Sequence, residues 1–294
     1  MERFFSNILK KGGTKTALLE ITRPWNALVT GLLALFGATV IGGVDPVSGL
    51  LVFLIFTFAY MAGTTVNDIY DELIDKINMP YRPLQEKRVS RSGVWKLSIF
   101  LHALTLVIGF TLGWKIFLLT IVFFIFSFIY SVPPVALNKR GILGQIELSI
   151  TVLFIPVFTG MVLALGNFFV PINYILVMLF FSSLFVFIFL LKDFKDIQGD
   201  RAWNKKTPVA QLGPKNTKTL SIIGSVISFI MIMFFFYRIF EFSIIQVVIL
   251  IFVLGGIIYV ENLVTKNPEK SFGLARLMLL AFLLVLFGSP LGIF

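Results

Sequence analysis

The chain has no cysteine and a single histidine. That excludes disulfides, thiolate metal sites and cysteine nucleophiles, and it leaves a zinc site without its usual ligands. Charge is scarce as well. Charged residues make up 14% of the chain, against about 25% in a soluble domain. What is present is apolar: 57% of the 294 residues are hydrophobic, with 34 phenylalanines among them, and the mean hydropathy is +0.95. Such a chain lacks the polar surface to cover a globule in water, so its expected solvent is a lipid bilayer. The first residues, MERFFSNILKKGGTK, lack a short apolar core followed by a small-residue cleavage site, so no removable signal peptide is expected.

About 20 apolar residues cross the hydrocarbon core as a helix. Nine stretches qualify: 24–43, 47–66, 93–113, 115–131, 143–165, 171–191, 218–238, 242–260 and 272–294. The expected architecture is an all-α membrane protein, a bundle of nine transmembrane helices forming a single domain over residues 1–294. Odd-numbered connections are tight and even-numbered ones longer and polar. Of the 25 Lys and Arg residues, all but Lys115 and Arg238 fall on the N-terminal segment, the even connections or the span ends beside them. By the positive-inside rule the N-terminus and the even connections are then cytoplasmic, in a multi-pass protein of the cell membrane. The net charge of +10 reads as anchoring against anionic lipid rather than as a nucleic-acid footprint.

Two even connections carry most of the acid. After the second span, VNDIYDELIDKINMPYRPL spaces Asn67, Asp71 and Asp75 at i, i+4, i+8, one helical face if the second helix runs on past the membrane edge. Asp68 sits beside that stripe as an outer ligand. After the sixth span, LKDFKDIQGDRAWNKKTPVAQLG places Asp193, Asp196 and Asp200 at i, i+3, i+7. These two loops hold eight of the fifteen acidic residues. Like charges at this spacing repel on a bare helix, and a cation between them removes the penalty. Oxygen ligands suit Mg²⁺, which is usually bound by one or two carboxylates together with substrate phosphates. A lone juxtamembrane aspartate usually only marks a helix end in solvent. Two matching stripes on one side, each with basic neighbours, point instead to a site.

The chemistry such a site serves is departure of an anionic group. Breaking the allylic C–O bond of an isoprenyl diphosphate releases pyrophosphate, whose charge needs Mg²⁺ and Lys or Arg donors. Lys76 and Arg82 flank the first stripe, Lys192 and Arg201 the second, and Lys139 and Arg140 lie in the connection after the fourth span. The apolar spans would receive the lipid tail and shield the cation from water. A transporter would carry its carboxylates near mid-membrane, where this chain is almost free of them, and a non-catalytic lipid carrier needs no paired stripes. Glu147, one turn into the fifth span, is an intramembrane carboxylate and so a functional candidate. For His102, in the third span, a buried histidine bonded to a neighbouring helix is a plainer expectation than a general base.

NDIYDELIDKIN resembles the NDxxDxxxD motif of UbiA-type intramembrane prenyltransferases, and KDFKDIQGD resembles their second motif, DxxDxxxD. The resemblance covers nearly the whole chain. It implies Mg²⁺ ligation by Asn67, Asp71, Asp75, Asp196 and Asp200, assisted by Asp68 and Asp193. It further implies a pocket role for Asn26 in TRPWN, diphosphate binding by Arg82, and a place for Tyr130 of YSVPP along the prenyl chain or against the cation. The chain departs from the family after Arg82, where Gln85 and Glu86 replace the usual PSG, and at Asn138, where a lysine is usual. The implied donor is an isoprenyl diphosphate and the implied acceptor lipophilic. YSVPP and TPVAQLG lean toward an aromatic or quinone-precursor acceptor. Archaeal ether-lipid synthesis, as by digeranylgeranylglyceryl phosphate synthases, is the alternative.

Overall fold

The computed structural model describes residues 13–237 and 244–288, and every regular element among them is helical. The first twelve residues, Arg238, and residues 289–294 of the ninth expected span lie outside the described residues.

A short helix, α1 (Thr14–Ile21), leads into α2 (Pro24–Val40). Asp45 then caps α3 (Pro46–Tyr70). Its carboxylate accepts from the amides of Val47 and Ser48, each at 3.0 Å, and Pro46 supplies the fixed φ suited to a first helical residue. After a break at Asp71 the chain resumes as α4 (Glu72–Asn78). Ser90 caps α5 (Arg91–Thr111) by accepting from the Gly93 amide at 3.0 Å. The chain returns through α6 (Trp114–Ser131). α7 (Ile142–Ser149), a π-turn at Ile150–Phe154 and α8 (Ile155–Leu165) form one continuous span. Pro156 lacks an amide hydrogen and would clash with the carbonyl four residues back, and the widened turn just before it accommodates that. α9 (Ile172–Phe189) tightens into a 3₁₀ turn at Leu190–Lys195, followed by the short α10 (Ile197–Ala202). α11 (Pro208–Tyr237) is interrupted at Gly213, whose φ of 77° and ψ of 161° are non-helical. α12 (Ile244–Leu263) and α13 (Pro268–Gly288) complete the bundle.

Seven helices among the described residues are long and apolar enough to cross a membrane. The stretch expected as the first span is the 17-residue α2, shorter than the threshold met by the others. The ninth expected stretch falls on α13, a helix of 21 residues that is not among the seven. The helix that carries the seventh stretch resumes after the Gly213 break, at Pro214 rather than at 218, because the break and the proline set its start rather than hydropathy.

Three apolar clusters form the interior among the described residues, the smallest around Ala17, Ile21, Ile69 and Val94. Of the two larger, one gathers residues of α3, α5 and α6, including Val52, Phe56 and Phe123. The other gathers residues of α9 and α11 to α13, including Leu184, Ile188 and Phe282. α2 and α8 join them at a close backbone crossing. A Cβ at Gly37 would lie 1.9 Å from the Val157 carbonyl oxygen, and one at Gly160 would lie 1.9 Å from that of Ala34. Small residues that admit such approach are a recurrent device of membrane helix pairs, where burial from water gives no drive between helices.

Gly160→Ala is therefore expected to destabilise the bundle by about 1–3 kcal/mol. Gly255, with nothing within 4 Å of its added Cβ, is the control: Gly255→Ala leaves thermal unfolding in detergent unchanged or slightly raised. Equal midpoints for the two variants would mean that the α2–α8 crossing yields without cost.

Candidate active site

Both acid stripes lie where a helix breaks. α3 stops at Asp71 (φ −96°, ψ 9°), and the 3₁₀ turn after α9 stops at Asp196 (φ −102°, ψ 3°). These angles belong to the bridge region, where turn and active-site residues are found. The expectation of one unbroken helix through Asn67, Asp71 and Asp75 is thus corrected to two helices. The register survives because the amide ladder survives. Asp71 donates to the Asn67 carbonyl at 2.9 Å and Asp75 to that of Asp71 at 2.8 Å; Asp196 donates to Asp193 at 3.1 Å and Asp200 to Asp196 at 3.0 Å.

Asn78 ties the stripes together. Its Nδ2 donates to Asp200 Oδ1 at 3.2 Å, and its Oδ1 accepts from the Gly199 amide at 2.8 Å. Position 199 must be glycine for this: a Cβ there would meet the Asn78 side chain at 2.5 Å. α4 and α10 pack together through this link.

Around the stripes, positive charge and amide donors divide the carboxylates. Asp68 is ion-paired with Arg23 and lies 3.3 Å from Arg82, which also pairs with Asp75. Asp71 accepts from Asn138 Nδ2 at 3.2 Å and from Lys205 Nζ at 3.3 Å. Asn67 Nδ2 lies 3.4 Å from Asp71 and donates to Ser131 Oγ at 3.3 Å. Gln145 donates to Asp193 at 2.7 Å, and Lys192 donates to the Tyr130 hydroxyl at 2.9 Å.

Burial pushes the Asp75 carboxyl up to about 6, against the lowering pull of Arg82. Burial likewise pushes Asp200 up to about 7, opposed by Lys205. Burial disfavours charge on Lys205, but the Asp71 and Asp200 carboxylates outweigh it and raise the ammonium above its usual range. Two buried carboxylate oxygens, Asp196 Oδ1 and Asp200 Oδ2, have no hydrogen-bond partner among the described residues. Orphaned hard oxygens of this kind suit a divalent cation. Among the described residues, no three His, Cys, Asp or Glu side chains close a metal shell by themselves.

One cavity of about 230 Å³ unites these groups. Its polar walls include Asn26, Asn67, Asp71, Asp75, Arg82, Tyr130, Lys192, Asp193, Asp196 and Asp200. Its apolar walls include Leu33, Phe123, Val152, Phe185, Phe189 and Leu279. Four of the expected site residues stay out of the lining. Asp68 is buried behind it, held by Arg23 and Arg82. Lys76 is exposed on α4. Arg140 is exposed and donates to the Pro134 carbonyl at 2.8 Å, while the Lys139 carbonyl accepts from the Lys206 amide at 3.3 Å.

Arg23 and Lys205 had no role of their own in the sequence reading beyond the general excess of basic residues, yet both line the cavity, as do Lys195 and Asn78. The signal for Arg23 was its place in TRPWN. For Lys205 there was none beyond nearness to the second motif. His102 lies outside the lining, and its Nδ1 is bonded at 2.8 Å to the Ser98 carbonyl of its own helix rather than to a neighbour.

A sequence profile of the UbiA prenyltransferase family matches residues 27–289. The chain is 28% identical over 218 residues to digeranylgeranylglyceryl phosphate synthase of Pyrococcus horikoshii, across 74% of this chain and 75% of that protein. To the synthase of the same name from Methanosphaera stadtmanae it is 27% identical over 280 residues, across 93% of this chain and 98% of the other. Its fold is similar to the solved structure of a UbiA homologue from Archaeoglobus fulgidus bound to GPP and Mg²⁺, with a TM-score of 0.67 at 19% identity, covering 92% of this chain and 99% of that one.

Burial raises Asp75 to about 6 and Asp200 to about 7, so a cation held by these carboxylates would displace protons. Affinity for Mg²⁺ with pyrophosphate is expected to rise with pH through this window and to fall as pH drops below it. Calorimetry in buffers of different ionisation enthalpy reads the released protons directly. A pH-independent affinity with no proton release would contradict the assignment.

Proposed function

The chain belongs to the UbiA prenyltransferase family, and we propose that this enzyme transfers a prenyl chain from geranylgeranyl diphosphate to the hydroxyl of geranylgeranylglyceryl phosphate, with Mg²⁺ as cofactor. The observation that carries the prenyl-transfer reading is the shared cavity: carboxylates of both stripes form one wall and phenylalanine and leucine side chains another. The glyceryl acceptor is supported by the relatives named digeranylgeranylglyceryl phosphate synthase. These relatives favour it over the aromatic acceptor toward which YSVPP at 130–134 leans.

In this reading Asn67, Asp71, Asp75, Asp193, Asp196 and Asp200 would hold two or more Mg²⁺ ions shared between the stripes across one diphosphate, with Asp68 positioning the arginines behind them. Bound there, Mg²⁺ supplies positive charge against the departing diphosphate. Arg82 and Lys205, already balanced against carboxylates, turn part of their charge to the phosphate oxygens. Tyr130, its hydroxyl fixed by Lys192 and its ring 5.6 Å from that ammonium, faces the prenyl chain. Asn26 lines the cavity beside Arg23 and limits where the acceptor enters. The apolar walls keep water from the allyl cation. Lys139, Arg140 and Lys76 act on the surface, meeting lipid phosphate at the membrane edge. We further propose one membrane domain spanning residues 1–294 with nine spans and the acid-rich face cytoplasmic.

Purified protein in lipid, given geranylgeranyl diphosphate, Mg²⁺ and geranylgeranylglyceryl phosphate, is expected to release pyrophosphate and form the diether, and EDTA is expected to stop both. An adduct with homogentisate or 4-hydroxybenzoate instead would move the enzyme to the aromatic branch. Asp71→Asn and Asp196→Asn should each lower turnover at least about 100-fold with the protein still folded, the scale on which preorganised electrostatic groups act. Wild-type rates in both would overturn the metal assignment. Arg82→Ala should raise KM for the diphosphate more than KM for the acceptor; an unchanged donor KM would count against its role.

A further inference from the structure

We propose that Glu147 accepts the proton of the acceptor's hydroxyl during prenyl transfer, an inference that rests on the hydroxyl-acceptor reading above. Among the carboxylates that line the cavity, Glu147 alone comes from neither acid stripe. It sits on α7, 4% exposed. Its Oε1 accepts from Thr151 Oγ1 one turn ahead in the same span. Its Oε2 is buried and has no hydrogen-bond partner among the described residues. Thr151 belongs to the π-turn that follows α7, a local irregularity that recurs at functional sites.

A structural role fits Glu147 poorly. Glu261, the comparable carboxylate of the second half, shows what such a role looks like. Its Oε2, like that of Glu147, has no hydrogen-bond partner among the described residues, but its Oε1 accepts from Ser221 and Ser225 at 2.8 and 2.7 Å, which ties α12 to α11, and it stays out of the cavity lining. Glu147 bonds only within its own span, so the hydrogen bond seen there holds no second helix. A carboxylate inside a membrane helix is costly and calls for a function. Thr151 fixes one oxygen and leaves the other buried without a hydrogen-bond partner among the described residues, on a residue that lines the cavity together with Tyr130, Lys192 and Phe189.

The reaction supplies the need. A lone pair of the acceptor hydroxyl oxygen forms a bond to C1 of the prenyl chain. The bond from C1 to the diphosphate oxygen breaks, and its electron pair leaves with pyrophosphate. The hydroxyl proton passes to Glu147 Oε2 and is later lost to pyrophosphate or water as products depart. One ether bond forms and one ester C–O bond breaks. An acceptor attacked at an aromatic ring carbon needs no base at bond formation, so this residue distinguishes the two acceptor classes.

The test is Glu147→Gln, with Glu147→Asp beside it, in lipid with Mg²⁺. Diether formation is read in single turnover. Ionisation of the donor is read separately, as migration of ¹⁸O from the bridging to the non-bridging position of labelled geranylgeranyl diphosphate. The expected result for Glu147→Gln is diether formation down at least about 100-fold, the scale of general-base catalysis, with label migration and donor affinity within about threefold of wild type. Glu147→Asp, which keeps a carboxylate, is expected to retain more activity than Glu147→Gln. Diether formation within threefold of wild type in Glu147→Gln would overturn the proposal. Loss of donor affinity in both variants would also overturn it, by making the residue structural. Failure of wild type to form diether would instead sink the acceptor reading on which the proposal stands.

Discussion

Gathering carboxylates at the edge of a bilayer is unfavourable twice over, through desolvation and through mutual repulsion, and the architecture of this chain is organised around relieving both. Asp68 is held between Arg23 and Arg82, Asp75 against Arg82, and Asp71 against Lys205 and Asn138. Asn78 reaches from the end of the first motif to Asp200 and the Gly199 amide in the second. Relief is incomplete: Asp196 Oδ1 and Asp200 Oδ2 remain without partners among the described residues. That remainder favours positive charge at the site, the property on which the proposed binding of a cation and a diphosphate rests.

The helix breaks at Asp71 and Asp196 set the geometry. Each is the central aspartate of its motif, and each keeps the amide ladder while changing direction. A straight extension of α3 would carry Asp75 on along the axis of the span. The break instead lays α4 beside α10, so that two stripes from distant parts of the sequence face one cavity. Apolar packing fixes the distance between them, through the α2–α8 crossing at Gly37 and Gly160 and the clusters on either side.

Much of this was legible in the sequence. Hydropathy marked the spans because lipid-facing and buried positions of a membrane helix are both apolar, and helical spacing marked the stripes because the register persists through the breaks. Which basic residues turn inward was not legible. Lys139 and Arg140 were among the expected phosphate ligands, and Lys205 was not. The pairing of the Lys139 carbonyl with the Lys206 amide is a tertiary contact, and Lys205, next to it, is the lysine that pairs with Asp71. Asn78 reads as an ordinary helix end until α10 is placed against it. Glu147 was visible as an intramembrane acid, but its free oxygen and its place in the cavity needed the fold.

The central claim is that both stripes act on one diphosphate through shared divalent ions. The direct measurement is electron paramagnetic resonance of Mn²⁺ bound to the protein in lipid, with a non-ionising thiolo analogue of geranylgeranyl diphosphate. At least two Mn²⁺ ions with mutual dipolar coupling, dependent on the analogue and lost in both Asp71→Asn and Asp196→Asn, is the predicted result. A single uncoupled ion, or binding indifferent to the analogue and to one of the two substitutions, would contradict it.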